Sequence, residues 1–479
     1  MRAFRVHPPL IVIGIPPMPP SKPSTSHPSP RPGSSQSPLR IGTGAGFSSD
    51  RLDPARDLVE HGALDVIVFE CVGERTLAFG HRDRLADPTR GYNSLLVPRF
   101  RDILPRSVRH GTRIITNMGV ANPRAAAERT VALARELGLR GLKVACVEGD
   151  DVTASIGPDT PLPERGGSVG DVGLPMVGAN AYLGADALLP ALEAGADVVI
   201  AGRVADPSLF LAAMRHAHGW GHHDWAQLGM GTAVGHLLEC AAQVTGGYFA
   251  DPGVKHVRDL AYVGFPLAEV APDGSAVITK LPSAGGRVDE RTVKEQLLYE
   301  IHDPARYLTP DVVADFSTTR LTEEGEDRVR VSGAGGSQRP ETLKVTVAFD
   351  GGLLAEAEVS YAGPGAKGRG RLAGEIIAER MRNLHGFNEE LRIDLIGVNA
   401  LHATAVERPA ETEDVRLRAA LRTPNRETAE LLLWEVEAML CCGPAGGGGF
   451  RGAITPSVVT HSAFIPRGQV TPTLEMLEA

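Results

Sequence analysis

Asp197 to Pro207, DVVIAGRVADP, holds the pattern on which the fold turns. Asp197 to Ala201 is predicted as a buried strand, Gly202 to Ala205 as a short turn, and Asp206-Pro207 as the start of a helix. An aspartate side chain can satisfy an orphan helix amide, and proline at the first helical position loses no hydrogen bond. The same order recurs upstream. Arg113 to Thr116 precedes Asn122-Pro123, and Leu39 to Gly42 leads through a glycine turn to Asp53-Pro54. Leu64 to Glu70 (LDVIVFE) and Leu142 to Val147 add two more apolar runs. Strands that are apolar along their length suit a parallel sheet covered on both faces. The expected fold class is α/β, a mostly parallel sheet built from βα units, with ligands beyond the carboxyl ends of the strands.

Working outward, Ala185 to Ala194 is predicted as a helix stopped by Gly195. Val152 to Gly173 reads as an excursion. Strands are expected at Ser275 to Lys280 and Thr342 to Phe349, a helix at Asp289 to His302, and another helix through Leu372, Ile376, Ile377 and Leu384. Near the C-terminus, Val415 to Leu421 reads as a strand. Asn425 then caps a helix with Ala429, Leu432, Leu433, Val436, Met439 and Leu440 on one face, and a strand follows near Val458 to Ile465. The expected organisation is a Pro/Ser-rich extension over 1–38, an α/β domain over 39–388, and a small α+β domain over 408–475. Met1 to Arg40 contains no Asp or Glu and cannot pack a core, so a disordered extension is expected there rather than a transit peptide.

Bulk chemistry narrows the function. The 479 residues carry a net charge of −9, which argues against a nucleic-acid partner, since phosphate neutralisation needs clustered cations. The five cysteines form no CxxC pair and no zinc spacing, so free thiols in a reducing, cytoplasmic setting are expected. No apolar run reaches the roughly 18 residues of a spanning helix, so no membrane partner is expected.

Several stretches can carry chemistry. In Gly42-Thr43-Gly44-Ala45-Gly46, Gly44 and Gly46 let backbone amides approach a ligand, or else pack a tight turn. The spacing is not GxGxxG and no Walker lysine follows. Asn117, after a strand, can offer its amide to a carboxylate. Arg203 can grip an anion in a fork, or pair with Asp206. His236, Glu239, Cys240 and Gln243 stand at i, i+3, i+4 and i+7 of an otherwise apolar helix. His236 and Glu239 fit general base and acid and Cys240 a nucleophile, or the stripe is an internal hydrogen-bond network. Lys280 with Ser283 to Arg287 can hold an anion. Tyr299 and Tyr307 are possible proton donors or packed rings. His216, His218, His222 and His223 are spaced too loosely for zinc, and no metal site is predicted. The glycine loops Ser360 to Gly365 and Gly443 to Gly449 either approach a ligand or cover the surface.

These segments together resemble the acyclic terpene utilisation A (AtuA) family. IGTGAGFSSDR, TNMGVANP, GANAYLGAD, AGADVVIAGRVADPSLFLA and GHLLECAAQVTGGYF follow the family in order and spacing. So do GFPLAEV, VITKLPSAGG, TVKEQLLYEIHDPARYLTPDV and VSYAGPGA, over about Leu39 to Gly386. The C-terminal part with GPAGGGG resembles the small ferredoxin-like domain often fused to the family. Met118 and Ser283-Ala284 depart from the usual residues without removing a proton-transfer group. The resemblance implies a place in breaking down citronellol-like or geraniol-like acids through coenzyme A thioesters, and carries no catalytic assignment.

The expected function is a catabolic enzyme acting on a small or branched carboxylic acid or its acyl-CoA thioester, by acid/base hydration, dehydration or isomerisation. Its expected catalytic residues are His236, Glu239 and Cys240, with Gly44, Gly46, Asn117, Arg203, Gln243 and Lys280 binding substrate. No cofactor is predicted, and a homo-oligomer is expected. The alternative is a non-catalytic ligand-binding or assembly subunit of an acyl-CoA degradation complex.

Overall fold

The computed structural model describes residues 38–401 and 412–479. The expected N-terminal extension lies outside the described residues but for its last position. Six strands open the chain: β1 (Leu39–Ala45), β2 (Val66–Phe69), β3 (Arg113–Thr116), β4 (Lys143–Glu148), β5 (Met176–Ala181) and β6 (Val198–Ala201). All but β5 form a parallel core in the order β1-β2-β3-β6-β4, with Val68 opposite Ile115 and Ile115 opposite Val199.

Alternation along these strands feeds two cores. Ile41, Val68, Ile115 and Val199 pack against α6 (Asp206–His218) and α7 (Trp225–Glu239). Ile67, Phe69, Ile114 and Ile200 pack on the other face against residues of α1 (Asp53–His61), α3 (Leu96–His110) and α4 (Pro123–Glu136). Each such side chain contributes about 1.5–3 kcal/mol by leaving water. The capping expectation holds for Asn122, which accepts the Ala125 amide at 3.3 Å. It fails for the other two helices. Leu52 and Ala205 occupy their cap positions without side-chain bonds, and Asp206 instead lies 2.9 Å from Arg203.

The mostly parallel sheet is corrected to a mixed one. β7 (Pro266–Val270) and β8 (Ala276–Lys280) join β1 as an antiparallel hairpin across Pro272-Asp273-Gly274-Ser275, with Gly274 at φ +89°. Such a turn needs glycine to reach positive φ and allows antiparallel neighbours without a crossover helix. β9 (Tyr307–Leu308), β10 (Val313–Asp315) and β13 (Gly335–Ser337) make a small separate sheet. β11 (Arg320–Gly325) and β12 (Arg328–Ser332) extend the hairpin side of the large sheet, which has ten strands. Its opposite edge is β18 (Thr473–Glu478), the last strand of the chain, antiparallel to β4.

β14 (Thr342–Ala362) is 21 residues long and belongs to two environments. Its first half pairs with β5, and its second half with β16 (Asp414–Thr423), while β17 (Gly448–Pro466) runs antiparallel along most of it. With β15 (Leu391–Ile396), α9 (Ala366–Asn383) and α10 (Arg426–Glu437), the chain order is strand–helix–strand–strand–helix–strand and the sheet order β15-β16-β14-β17. Both helices pack over Ala357, Val359, Tyr361 and Leu417. Asn425 caps α10 as expected, accepting the Glu427 amide at 2.8 Å. This unit takes its first strand from β14, upstream of the boundary expected at residue 408.

Candidate functional site

A cavity of about 870 Å³ opens beyond the carboxyl ends of β1, β2 and β6. That volume suits a small-molecule ligand. Gly46 follows β1, Glu70 follows β2, and Arg203 stands two residues past β6; all three line it. Tyr182, just after β5, and Lys344 on β14 form a second wall, and the end of α7 brings Glu239. Gly235 allows this approach. A Cβ there would fall 2.7 Å from the Pro207 carbonyl, so only glycine lets α7 lie close against the start of α6.

Arg203 is at the centre of the charges. Its guanidinium lies 2.9 Å from Asp206, donates to the Val72 carbonyl, and sits 4.0 Å over the Tyr182 ring. Its Nε is buried without a hydrogen-bond partner. The two readings of Arg203 therefore coincide: it pairs with Asp206 and still lines the cavity. The buried Asp150 accepts the Arg203 amide at 2.6 Å and an Asn180 N–H at 2.8 Å, which fixes the turn after β6.

The carboxyls divide by environment. Burial pushes Glu70 up to about 8, helped by repulsion from Asp206 and opposed by Arg203. Burial raises Glu239 well above the carboxylate range, with Asp206 and Glu300 adding to it. Asp206 is raised by burial against the pull of Arg203. Glu74, opening α2 (Glu74–Ala86), goes the other way. Burial alone would raise it, but Arg203, the Tyr182 hydroxyl at 2.5 Å and Lys344 hold it at about 2. One cavity thus presents protonated carboxyls beside an ionised one, the division that proton transfer requires.

The expected helical stripe is broken. α7 ends at Glu239, and Cys240 leads into a 3-10 turn over Ala241–Gln243 with Ala241 at φ +46°. Glu239, Cys240 and Gln243 all line the cavity, but Cys240 and Gln243 do so from the turn. His236 does not line it. It lies behind Glu239, buried, with Nδ1 2.7 Å from Glu239 Oε1 and its ring stacked on Phe316. Burial lowers His236 to about 4, so it is neutral near pH 7. Burial and Glu239 raise the Cys240 thiol, which makes it a poor nucleophile.

The other expected ligand contacts divide between the cavity and the interior of the fold. Gly44 packs on the Phe69 ring, and the Gly46 amide donates to Asp50 at 3.0 Å, where an anion would have to sit. Lys280 is buried away from the cavity, 3.0 Å from Asp327 and 2.8 Å from the Ala284 carbonyl. Asn117 is fully buried and touches Glu70. Tyr299 and Tyr307 line the cavity. The two glycine loops meet each other, since Arg369 donates to Ala445, Ala362 and Pro364 carbonyls.

Glu70, Glu74 and Tyr182 are site residues that the pattern reading missed. Glu70 had a signal, a carboxylate closing a buried strand. Among the described residues no group of three or more His, Cys, Asp or Glu is arranged to hold a metal, and no helix is long and apolar enough to cross a membrane. No curated protein and no solved structure matches the chain. The family model described as acyclic terpene utilisation family protein AtuA matches residues 39–476, nearly the whole chain, and the chain belongs to that family.

Proposed function

We propose that the chain is a catabolic enzyme that moves protons on a small or branched carboxylic acid or its acyl-CoA thioester, by hydration, dehydration or isomerisation. One observation carries this reading: the buried carboxyls Glu70 and Glu239, which burial pushes toward the neutral form, face the same cavity as Arg203 and Glu74, whose pairing favours the ionised carboxylate. Protonated carboxyls donate to an oxygen that is leaving or becoming charged, and ionised ones accept a proton. Membership of the acyclic terpene utilisation family supports an acid from terpene breakdown. The free thiols of Cys71, Cys146, Cys240, Cys441 and Cys442 support a reducing, cytoplasmic setting. The strand and helix order of the C-terminal unit supports its reading as ferredoxin-like.

The experiment is turnover of candidate acids and thioesters by the purified chain, following gain or loss of water, with Glu239→Gln beside it. Turnover that Glu239→Gln loses supports the reading. Equal turnover in both rejects the role of Glu239. Binding without turnover would make the chain a ligand-binding subunit.

A further inference from the structure

Glu70 and Asn117 stand side by side, after the neighbouring parallel strands β2 and β3. The Asn117 side chain has one orientation open to it. Its Oδ1 accepts the Cys71 amide at 2.7 Å, so its Nδ2 must face Glu70, and it donates to Glu70 Oε1 at 2.9 Å. The Val72 amide donates to the same Oε1 at 2.8 Å. Two N–H groups therefore crowd one carboxyl oxygen, and a proton placed there would meet both. The proton of a carboxylic acid belongs on Oε2. The cation acting on Glu70 is Arg203, and its guanidinium is already engaged by Asp206, the Val72 carbonyl and the Tyr182 face. A buried carboxyl without an ion pair of its own favours the neutral form.

We propose that Glu70 carries a proton on Oε2 and presents it to the cavity, and that Asn117 is the positioning residue that fixes which oxygen carries it. This rests on the acid/base reading of the site and names its proton donor. Burial supports it, pushing Glu70 up against the pull of Arg203. The groups facing Glu70 are Arg203 from the turn after β6, Asp206 at the start of α6, Cys71 on its own segment, and Cys240 just past the end of α7. The substrate that fits is one with a basic oxygen, a hydroxyl leaving as water or a carbonyl. In dehydration the C–O bond breaks with its electron pair on oxygen. That oxygen takes the Oε2 proton and leaves as water. The adjacent carbon gives its proton to an ionised carboxylate of the cavity, and the C–H electron pair becomes the double bond. Glu70 is left ionised, with both Oε1 donors still in place; it regains a proton from solvent as the base carboxylate releases to solvent the one it took from carbon.

Infrared difference spectra of the full-length protein, taken on either side of pH 8, test this without a substrate. The wild type should show a protonated-carboxyl carbonyl band at neutral pH that titrates near 8. Glu70→Gln should lack that band. Glutamine keeps an acceptor for Asn117 and Val72 and puts its NH2 where the protonated oxygen stood, so this variant should fold. Asn117→Ser should move the titration upward, because the ionised form loses a donor. Glu239 keeps a carboxyl band of its own in both proteins; a component titrating near 8 that survives in Glu70→Gln, or a Glu70 that ionises in the ordinary carboxylate range, overturns the proposal. An Asn117→Ser titration identical to wild type overturns the positioning role. Where a substrate is turned over, the alkaline limb of kcat/KM should follow the same titration and vanish in Glu70→Gln. Absence of any turnover by the wild type defeats the enzyme reading alone and leaves the infrared result legible.

Discussion

His236 Nδ1 lies 2.7 Å from Glu239 Oε1, one turn earlier on α7, yet only Glu239 reaches the cavity. The histidine ring packs against Phe316 and Tyr307, with centroids 5.8 and 5.6 Å away. The pair is therefore a reactive carboxyl and its support. Glu239→Gln should lower kcat/KM by roughly a hundredfold or more, the usual worth of a proton-transfer group. His236→Asn, which can still bond Glu239, should lower it by about tenfold. Steady-state kinetics on variants of unchanged circular dichroism decides this. Equal losses would make His236 a direct participant.

Arg203 compensates several buried carboxyls at once. Asp206 lies 2.9 Å away, and Glu74 owes its ready ionisation largely to the guanidinium. Removing a cation from a buried ion pair leaves an uncompensated charge, which costs about 3–5 kcal/mol. Arg203→Met should lower the denaturation free energy by that amount at neutral pH. Arg203→Lys keeps the charge but loses the planar stack on Tyr182 and should cost less. Urea unfolding measures both; a neutral Arg203→Met would show that the carboxyls simply take up protons.

Local signals were legible in the sequence and long-range pairings were not. Asn122-Pro123 is read correctly because cap and helix are adjacent in the chain. Arg203 stands out because it follows a strand of four buried apolar residues. Tyr182 could not be read as a site residue, since it faces Arg203 only because the segment after β5 pairs with the turn after β6, Leu183 opposite Val204. The break after Glu239 is equally hidden: Cys240-Ala241-Ala242-Gln243 holds no glycine or proline, and tertiary packing puts Ala241 at positive φ. The antiparallel flank was missed for another reason. Ser275 to Lys280 was read as a strand, but its partner Pro266–Val270 and the hairpin turn Pro272-Asp273-Gly274-Ser275 between them were not.

Gly46 faces the backbone of the turn that ends α7. A Cβ at this position would fall 2.5 Å from the Cys240 carbonyl carbon and 2.8 Å from the Ala241 amide. Backbone atoms cannot rotate aside as a side chain can. Gly46→Ala should therefore cost about 1–3 kcal/mol through overpacking. It should also weaken ligand binding, because Gly46, Cys240 and Gln243 share one wall of the cavity. Gly111→Ala, where no atom lies near the added Cβ, is a control for conformational strain alone, since its φ is +71°. Thermal unfolding of the two variants separates close contact from strain. A Gly46→Ala protein as stable as wild type would mean that the turn yields.

The raised Glu70 carboxyl makes stability depend on pH in a window that ordinary carboxylates leave flat. Burial holds the folded value near 8, whereas the unfolded chain releases this proton in the usual glutamate range. Between those values the folded protein binds a proton that the unfolded chain has lost. Unfolding then releases a proton, and stability falls as pH rises through the window, by about 1.4 kcal/mol per pH unit where the difference is complete. Above the folded value both states are ionised and the contribution is flat. Glu70→Gln removes this dependence, so its stability relative to wild type should grow from pH 6 toward pH 8 and then level off. Asp150, raised by burial to about 6, adds a slope of the same sign at lower pH, present in both proteins, and cancels in the comparison. Urea denaturation of wild type and Glu70→Gln across this range gives the difference directly. A difference that does not change with pH would show that Glu70 is ionised in the folded protein, with Arg203 neutralising it across the cavity.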